Sequence, residues 1–479
     1  MKSLALATTL ALFPMALAAQ DGRAVAFTNA RLLTLAGSPI ERGTLVIRDG
    51  KIEAVGANAV VPAGARVIDA KGQTIMPGLV SAWSRAGMVA PPPDPEGQPG
   101  GGRRGRGQPM VMPSSGGSAQ NRAATKVADG LYPKQDVFAE LLRLGVTTLA
   151  LTPAGNGFPG LGARLSPDGK TLDKLVADDE AFVMIGMQRE QATKKLLTEM
   201  FDKARKAVEE RKKPPTPPAA PATAEAKPEA KPAETPKPSE PPKGNEPPKP
   251  EPKPEPKPEP KPEPKPEPKP EEKKDAAQQP AAQAQAKAAP PKDPNVEVLA
   301  DLLEGKRRAV VEVDSATDML HWLAAVPKDI TFPRTLVVTR HDPNSGTVDL
   351  VLEQVKAMQC PVLLPPDLST LPRSRHLIDP ARLLHDAGVE VGFVVGENAP
   401  TLRALFFRLM ELVRAGLPAD VALRGVTLVP AKALGVDKTC GTLEVGKRAD
   451  LLLLSGDPLA PASELKAVWL GGVEVPLQP

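Results

Sequence analysis

The fold of this chain is decided by residues 72–85, which read GQTIMPGLVSAWSR. An apolar run ends at Pro77 and Gly78, and a second short apolar run starts directly after them. A Pro-Gly pair between two apolar runs is typical of a tight turn that joins two strands. The stretch therefore predicts a strand that leaves one module, a turn, and a strand that enters the next module.

The chain before this turn has the pattern of a small β-sheet. Residues 24–76 alternate apolar and polar residues between turn signals. Asp49 and Gly50 stand between two such runs and predict a two-residue hairpin, because both central residues of that turn need positive φ. A sheet this short needs further strands from elsewhere to bury its apolar face.

The missing strands are predicted at the other end of the chain. Residues 441–458 read GTLEVGKRADLLLLSGDP, and residues 467–475 read AVWLGGVEV, which has the pattern of a final hairpin. We therefore expect residues 20–78 and 437–479 to form one composite β-sandwich that encloses everything between them.

Residues 79–436 alternate predicted strands and amphipathic helices. One example is the helical pattern at residues 136–145, which is followed by the apolar run at residues 146–153. This alternation indicates a parallel sheet, and without two insertions roughly 240 residues remain, about the size of a TIM barrel. The predicted fold class is α/β: a TIM-like (β/α)8 barrel plus a small composite β-sandwich.

The two insertions have compositions that cannot contribute to a core. Residues 91–122 are rich in Gly, Pro, Arg and Ser, which favours a solvated loop over an anion-binding site. Residues 213–294 contain no Val, Ile, Leu, Met or aromatic residue, and they repeat Lys-Pro-Glu-Pro. Such a segment has nothing to offset the entropy of folding, so we expect a disordered, polyproline-like insertion. A stiff arm that contacts the cell wall or a protein partner is the other hypothesis for it.

The first residues predict export. Lys2 precedes an apolar run that ends in the small residues Ala16, Ala18 and Ala19, which is the layout of a signal peptide. Residues 1–19 are therefore expected to be removed, and the mature protein to be secreted or periplasmic. No later segment has an apolar stretch long enough to span a bilayer.

Composition excludes several function classes. A net charge of +4 over 479 residues and an aromatic content of 3% indicate no nucleic-acid partner. Only Cys360 and Cys440 are present, which rules out a disulfide-rich scaffold and a cysteine-built zinc site. Spacing alone leaves open whether these two cysteines pair.

The turn at Pro77 and Gly78, the run at residues 441–458 and the segment VPAKALG at residues 429–435 together resemble the amidohydrolase superfamily. The similarity is to secreted members related to imidazolonepropionase. It implies a barrel that holds one or two metal ions, which activate a water for attack on a carbonyl carbon. The family ligands are a His-x-His pair on the first strand, His on the fifth and sixth, and Asp on the eighth. A Lys on the fourth strand sometimes bridges the metals.

The positions that match these ligands hold other residues. The first-strand pair is Trp83 and Arg85; an indole cannot coordinate a metal, and a guanidinium is always charged. The other degenerate positions are Ser166 on the fourth strand, Glu312 and Asp314 on the fifth, and Gly396 on the eighth. The candidates for a rebuilt acidic site are Glu312, Asp314, His341 and Glu397, the last one residue beyond Gly396.

Two functions follow from this pattern. The loss of ligands on several strands favours an exported, non-catalytic homologue with a binding or scaffolding role and no metal cofactor. Its expected partners are further copies of itself or an intact amidohydrolase. The alternative is an active hydrolase of carbon–nitrogen bonds in cyclic amides or dipeptides, with a divalent metal such as zinc at the rebuilt acidic site.

Overall fold

The computed structural model describes residues 24–88, 119–169, 171–188, 190–213, 292–326, 331–340, 348–371 and 374–477. The predicted signal peptide, most of the segment 91–122 and nearly all of the insertion 213–294 lie outside the described residues. Among the described helices, none combines the length and the apolar character that a membrane span requires.

Strands from both chain ends form one eight-stranded sheet. Its members are β1 (Val25–Leu32), β2 (Ile40–Arg48), β3 (Lys51–Gly56), β4 (Arg66–Asp69), β5 (Thr74–Pro77), β17 (Leu451–Leu454), β18 (Leu465–Leu470) and β19 (Val473–Val475). The strand order is β19-β18-β17-β5-β1-β2-β3, with β4 paired to β1. The two ends of the chain meet where β17 pairs antiparallel with β5, which places Ile75 opposite Leu453.

The local turn signals of this sheet are confirmed. Asp49 and Gly50 have positive φ and connect β2 to β3, which pair antiparallel. The core behind the sheet includes an edge-to-face contact between the rings of Phe27 and Trp469, whose centroids are 5.1 Å apart. Residues far apart in sequence therefore share one apolar cluster, as the incomplete N-terminal pattern required.

A second sheet forms the barrel. Its strands are β6 (Leu79–Ser81), β7 (Gln120–Asn121), β8 (Val146–Leu151), β9 (Gly157–Leu165), β10 (Val176–Gly186), β11 (Ala309–Val313), β12 (Arg334–Val338), β13 (Val362–Leu364) and β16 (Val391–Phe393). A separate hairpin consists of β14 (Ser369–Thr370) and β15 (Leu377–Ile378). The helices are α1 (Asp136–Arg143), α2 (Leu172–Leu175), α3 (Gln191–Lys212), α4 (Pro294–Leu303), α5 (Ala316–Ala325), α6 (Leu352–Ala357), α7 (Pro380–Asp386), α8 (Ala399–Arg403), α9 (Leu405–Arg414), α10 (Ala419–Arg424) and α11 (Leu428–Ala433), with 3₁₀ turns at Val127–Gly130 and Val348–Val351.

The barrel sheet curls so that its two edges come together. The strand order is β16-β13-β12-β11-β10-β9-β8-β6, with β7 paired to β9. The segment after α10 joins the edges: Val80 N–H donates to the carbonyl of Val426 at 3.0 Å, and Phe393 N–H donates to that of Gly425 at 2.7 Å. The architecture is an α/β, TIM-like fold in which two residues of irregular chain complete the ring.

One barrel strand runs against the others. Strand β9 is antiparallel to both β8 and β10, whereas the remaining neighbours from β6 to β16 along the path are parallel. Only five residues separate Leu151 from Gly157, and a parallel connection needs about a dozen residues or more. The expected fourth parallel strand is therefore a hairpin partner of β8 in this chain.

The insertion leaves and re-enters the fold between two packed helices. Helix α3 ends at Lys212, and α4 starts at Pro294 behind Asp293, whose side chain accepts the Asn295 N–H as an N-cap. Near the end of α3, the guanidinium of Arg211 forms ion pairs with three carboxylates of the α4 region, Glu297, Asp301 and Glu304. These contacts hold together the two helix ends between which residues 214–291 are inserted.

Candidate functional site at the barrel mouth

Most of the residues singled out from the sequence lie at one end of the barrel. Trp83 and Arg85 follow β6, Glu312 lies in β11 with Asp314 directly after it, and Glu397 follows β16. Because parallel strands end on the same side of a barrel, these side chains share its carboxyl-terminal mouth. This is the end at which TIM-barrel enzymes place their reactive groups.

The centre of the mouth is an ion pair. Arg85 Nη2 lies 2.9 Å from Glu312 Oε2, and the two side chains are 27% and 15% exposed. The Arg85 Cζ atom also lies 4.9 Å from the ring centroid of Trp83, which is buried. The Arg85 guanidinium therefore packs on an aromatic face and pairs with a carboxylate at the same time.

The environment of Glu312 works against its charge. Burial raises the pKa of the Glu312 carboxyl above its usual range. The positive charge of Arg85 acts to lower this pKa, whereas the negative charge of Asp314 acts to raise it further. The indole N–H of Trp83 lies near enough to favour the charged form, yet it lacks the geometry of a hydrogen bond. The carboxylate thus depends on Arg85 for its compensation.

Glu397 binds the backbone on the other side of Arg85, because its carboxylate accepts the Arg85 N–H. The preceding Gly396 packs against helix α8: a Cβ atom there would lie 2.1 Å from Thr401 Oγ1. That hydroxyl is held in place by the backbone carbonyl of Asn398, at 2.9 Å. An aspartate therefore cannot replace Gly396 unless Thr401 moves.

Asp314 has its own partners. Its Oδ1 accepts the Thr339 hydroxyl at 2.6 Å, and its Oδ2 lies 2.7 Å from Arg340 Nη2. Asp314 and Glu312 are therefore each paired with a different arginine rather than with a common ligand. His341, the remaining candidate, lies outside the described residues.

Ser166 is not at the mouth. Because β9 is antiparallel, Leu165 pairs with Val176 at the start of β10. The Ser166 hydroxyl donates to Asp168 at 2.9 Å, at the amino-terminal end of the parallel strands. The expectation that Ser166 occupies the fourth-strand ligand position is wrong, because the short β8–β9 connection reverses the strand that carries it.

Comparison with known proteins finds a family pattern over part of the chain and a similar fold over most of it. The sequence pattern described as "Amidohydrolase family" matches residues 323–475. The fold is similar to that of an amidohydrolase from Thermotoga maritima, with a TM-score of 0.65 and 18% identity over 94% of this chain and 99% of that one. Residues 323–475 thus carry the amidohydrolase family pattern, and the chain has a fold similar to that of an amidohydrolase.

Curated amidohydrolase relatives match a limited part of the chain. An imidazolonepropionase from Paracidovorax citrulli is 40% identical over 115 residues, which are 23% of this chain and 26% of that protein. One from Pseudomonas fluorescens is 40% identical over 96 residues, 19% of this chain and 23% of that protein. The chain thus spans about a quarter of the length of these curated relatives.

The described side chains at this mouth do not fit a hydrolytic metal ion. Among the described residues, no three His, Cys, Asp or Glu side chains are grouped so that they could hold a metal ion. At the mouth, the oxygens of Glu312 and Asp314 already face guanidinium groups, and Arg85 supplies a charge that repels a cation. A hydrolytic metal needs several ligands fixed on rigid elements and an open position for water.

Two buried donors at the mouth lack partners within the described structure. These are Nε1 of Trp83 and Nε of Arg85. A buried N–H without an acceptor is costly to leave unsatisfied, and such groups are common where a ligand binds. The mouth therefore offers two N–H donors to an acceptor oxygen, a property that the sequence did not reveal.

The sequence also missed three residues that shape the site. Thr339 donates a hydrogen bond to Asp314, Arg340 neutralises its charge, and Thr401 closes the space beside Gly396. The first two stand at the end of a predicted strand, next to His341, so their position was a usable signal. No sequence signal marked Thr401, because only the packing of α8 brings it to Gly396.

Proposed function

We propose that this protein is a non-catalytic amidohydrolase homologue that binds a ligand at the barrel mouth. The observation that carries the proposal is the ion pair between Arg85 and Glu312, with Trp83 packed on the guanidinium. It fills the first-strand and fifth-strand positions with a charge-neutral pair of side chains. Hydrolysis by the family mechanism needs metal ligands at those same positions.

The ligand of this site would carry a carbonyl or carboxylate oxygen. Such an oxygen can accept the free N–H groups of Trp83 and Arg85. The neighbouring carboxylates, Glu312 and Glu397, are already engaged by Arg85, which limits their repulsion of an acceptor. The role is then recognition, and the barrel supplies a rigid frame for it.

Elemental analysis tests this proposal. We expect the protein, purified without chelators, to carry well under one equivalent of zinc, iron or manganese, since its mouth side chains are paired with each other. Stoichiometric metal that is lost in a His341→Ala variant would overturn the proposal, because it would show that the acidic residues form a working site.

The second candidate is an active hydrolase of carbon–nitrogen bonds in cyclic amides or dipeptides. It is favoured by the 40% identity to imidazolonepropionases over part of the chain. Its site would consist of Glu312, Asp314, Glu397 and His341. Turnover of cyclic amides or dipeptides after loading with zinc, iron or manganese, abolished by Glu312→Gln, would support it. No turnover with any of these metals would count against it.

We further propose that the protein acts outside the cytoplasm, on the basis of the signal-peptide pattern in residues 1–19. Mass spectrometry of the protein isolated from its native host should give a first residue at or near Ala19 or Gln20. An intact Met1 terminus would refute export by this route.

A further inference from the structure

The opposite end of the barrel contains a cavity of about 460 Å³. It lies where β11, β12 and β13 begin and where α11 ends, and it is therefore remote from the mouth at Arg85. Its polar lining residues are Arg308, Arg334, Lys432, Thr331, Thr335, Gln359 and Cys360. None of the described lining residues is acidic.

The positive charge of Arg308 is poorly compensated. Its Nη1 donates to the backbone carbonyl of Lys432 at 3.0 Å, and it forms no ion pair within the described part of the chain. Burial lowers the pKa of this guanidinium, and only the more distant Asp437 and Asp178 oppose that effect. A partly buried cation without a carboxylate partner creates a local positive potential.

Arg334 adds a second such charge next to the first. The register between β11 and β12 pairs Ala309 with Arg334, so Arg308 and Arg334 stand at the starts of adjacent strands. The Arg334 Cζ atom lies 5.4 Å from the ring centroid of Phe332, and no acidic side chain pairs with it among the described residues. Lys432, the third cation, is neutralised by Glu390. Two arginines therefore face one cavity, and neither forms an ion pair with any residue that the structure describes.

We propose that this cavity binds a small organic anion through Arg308 and Arg334. Guanidinium groups donate two parallel N–H bonds to phosphate or carboxylate oxygens, which is the geometry such anions favour. The apolar part of the ligand would contact Phe332 and Met358, which line the same cavity. The ligand class is thus an anionic headgroup on an apolar or compact body, and the site is independent of the mouth.

Isothermal titration at constant ionic strength tests the site, with pyrophosphate and citrate as the probes. We expect saturable binding of at least one probe, and the tighter of the two identifies a phosphate or a carboxylate as the preferred headgroup. Arg334→Gln should weaken that binding roughly tenfold or more, because it removes a charge-assisted contact. Arg48→Gln is the matched control, since Arg48 pairs with Glu53 in the other sheet and should leave binding unchanged.

A second measurement covers the case in which Arg334→Gln fails to fold. Both cysteines are buried, but only Cys360 lines the cavity, so Cys440 serves as an internal reference for alkylation during thermal opening. The better-binding probe should slow alkylation of Cys360 in the wild-type protein while that of Cys440 stays unchanged. No saturable binding of either probe, or equal binding by wild type and Arg334→Gln, would overturn the proposal. Alkylation of Cys360 that is unaffected by a saturating probe would place the anion elsewhere and would overturn it as well.

Discussion

Replacing Arg85 by methionine should destabilise the protein, and the loss should grow with pH. The substitution removes the cation that compensates Glu312 but keeps most of the aliphatic volume against Trp83. Glu312 would then remain as a mostly buried carboxylate without a charged partner. The size of the effect depends on whether that carboxyl can take up a proton.

Removing one partner of a buried ion pair typically costs about 3–5 kcal/mol. With side chains 27% and 15% exposed, this pair is partly screened by water, so we expect a loss near the lower end, about 3 kcal/mol at pH 8. For the roughly 330 residues that the structure describes, that corresponds to a Tm lower by about 4 °C.

The direction of the pH dependence follows from the raised pKa of Glu312. Its carboxyl keeps a proton to higher pH in the folded protein than in the unfolded chain, because burial disfavours the charge. Stability therefore falls as the pH rises from the unfolded pKa through the folded one. Without Arg85 the folded pKa rises further, and each added unit costs about 1.4 kcal/mol once the group is ionised. The loss in Arg85→Met should accordingly be smaller at pH 5 than at pH 8.

Urea and thermal unfolding between pH 5 and pH 8 measure this loss. The double variant Arg85→Met/Glu312→Gln should recover to within about 1 kcal/mol of the wild type, because no unpaired charge remains. Arg48→Met serves as the control, since its pair with Glu53 is exposed and is worth about 0.5 kcal/mol. The reasoning would be refuted if Arg85→Met lost no more than Arg48→Met at pH 8, or if its loss were the same at pH 5.

Two further predictions concern stability. Gly396→Ala should lower the free energy of unfolding by about 1–3 kcal/mol, because the new methyl group meets Thr401. Gly456→Ala is the control and should cost less than about 1 kcal/mol, since nothing lies within 4 Å of a Cβ atom there. Equal losses in urea unfolding would contradict the packing described for Gly396. Replacing residues 214–291 by a short Gly/Ser linker should leave the Tm within about 2 °C of the wild type, because shortening a loop changes its closure entropy little and the Arg211 network stays intact. Arg211→Gln in the same deletion background should lower the Tm by several degrees, and a fall of many degrees on deletion alone would show that the removed segment packs on the fold.

Local sequence signals predicted the sheet built from both chain ends. The hairpin at Asp49 and Gly50 depends on the φ preferences of two adjacent residues, which act within the turn itself. The long apolar run of β17 and the run that ends at Pro77 pair with each other, and this contact joins the strands from the two chain ends. The resemblance around Pro77 and Gly78 implies a histidine pair on the first strand, and the sequence has Trp83 and Arg85 at those positions.

The direction of β9 was not predictable from its apolar pattern. A buried strand has the same apolar pattern whether it pairs parallel or antiparallel with its neighbours. Only the length of the β8–β9 connection could therefore have decided the direction of β9. The predicted position of Ser166 was wrong for this reason. A resemblance at one strand end does not fix the end of the barrel at which that strand terminates.

By itself, the sequence determined which chemical groups this protein has for its mouth: an indole, a guanidinium and carboxylates at positions where the amidohydrolase resemblance implies imidazoles. Only the tertiary structure decided how they pair. Arg85 could have paired with Glu312 or with Asp314, and the structure assigns it to Glu312 because Thr339 and Arg340 hold Asp314. The physical reason is that side-chain type is local, whereas the choice of an ion-pair partner depends on distances of a few ångströms between strands that the sequence separates by more than 200 residues.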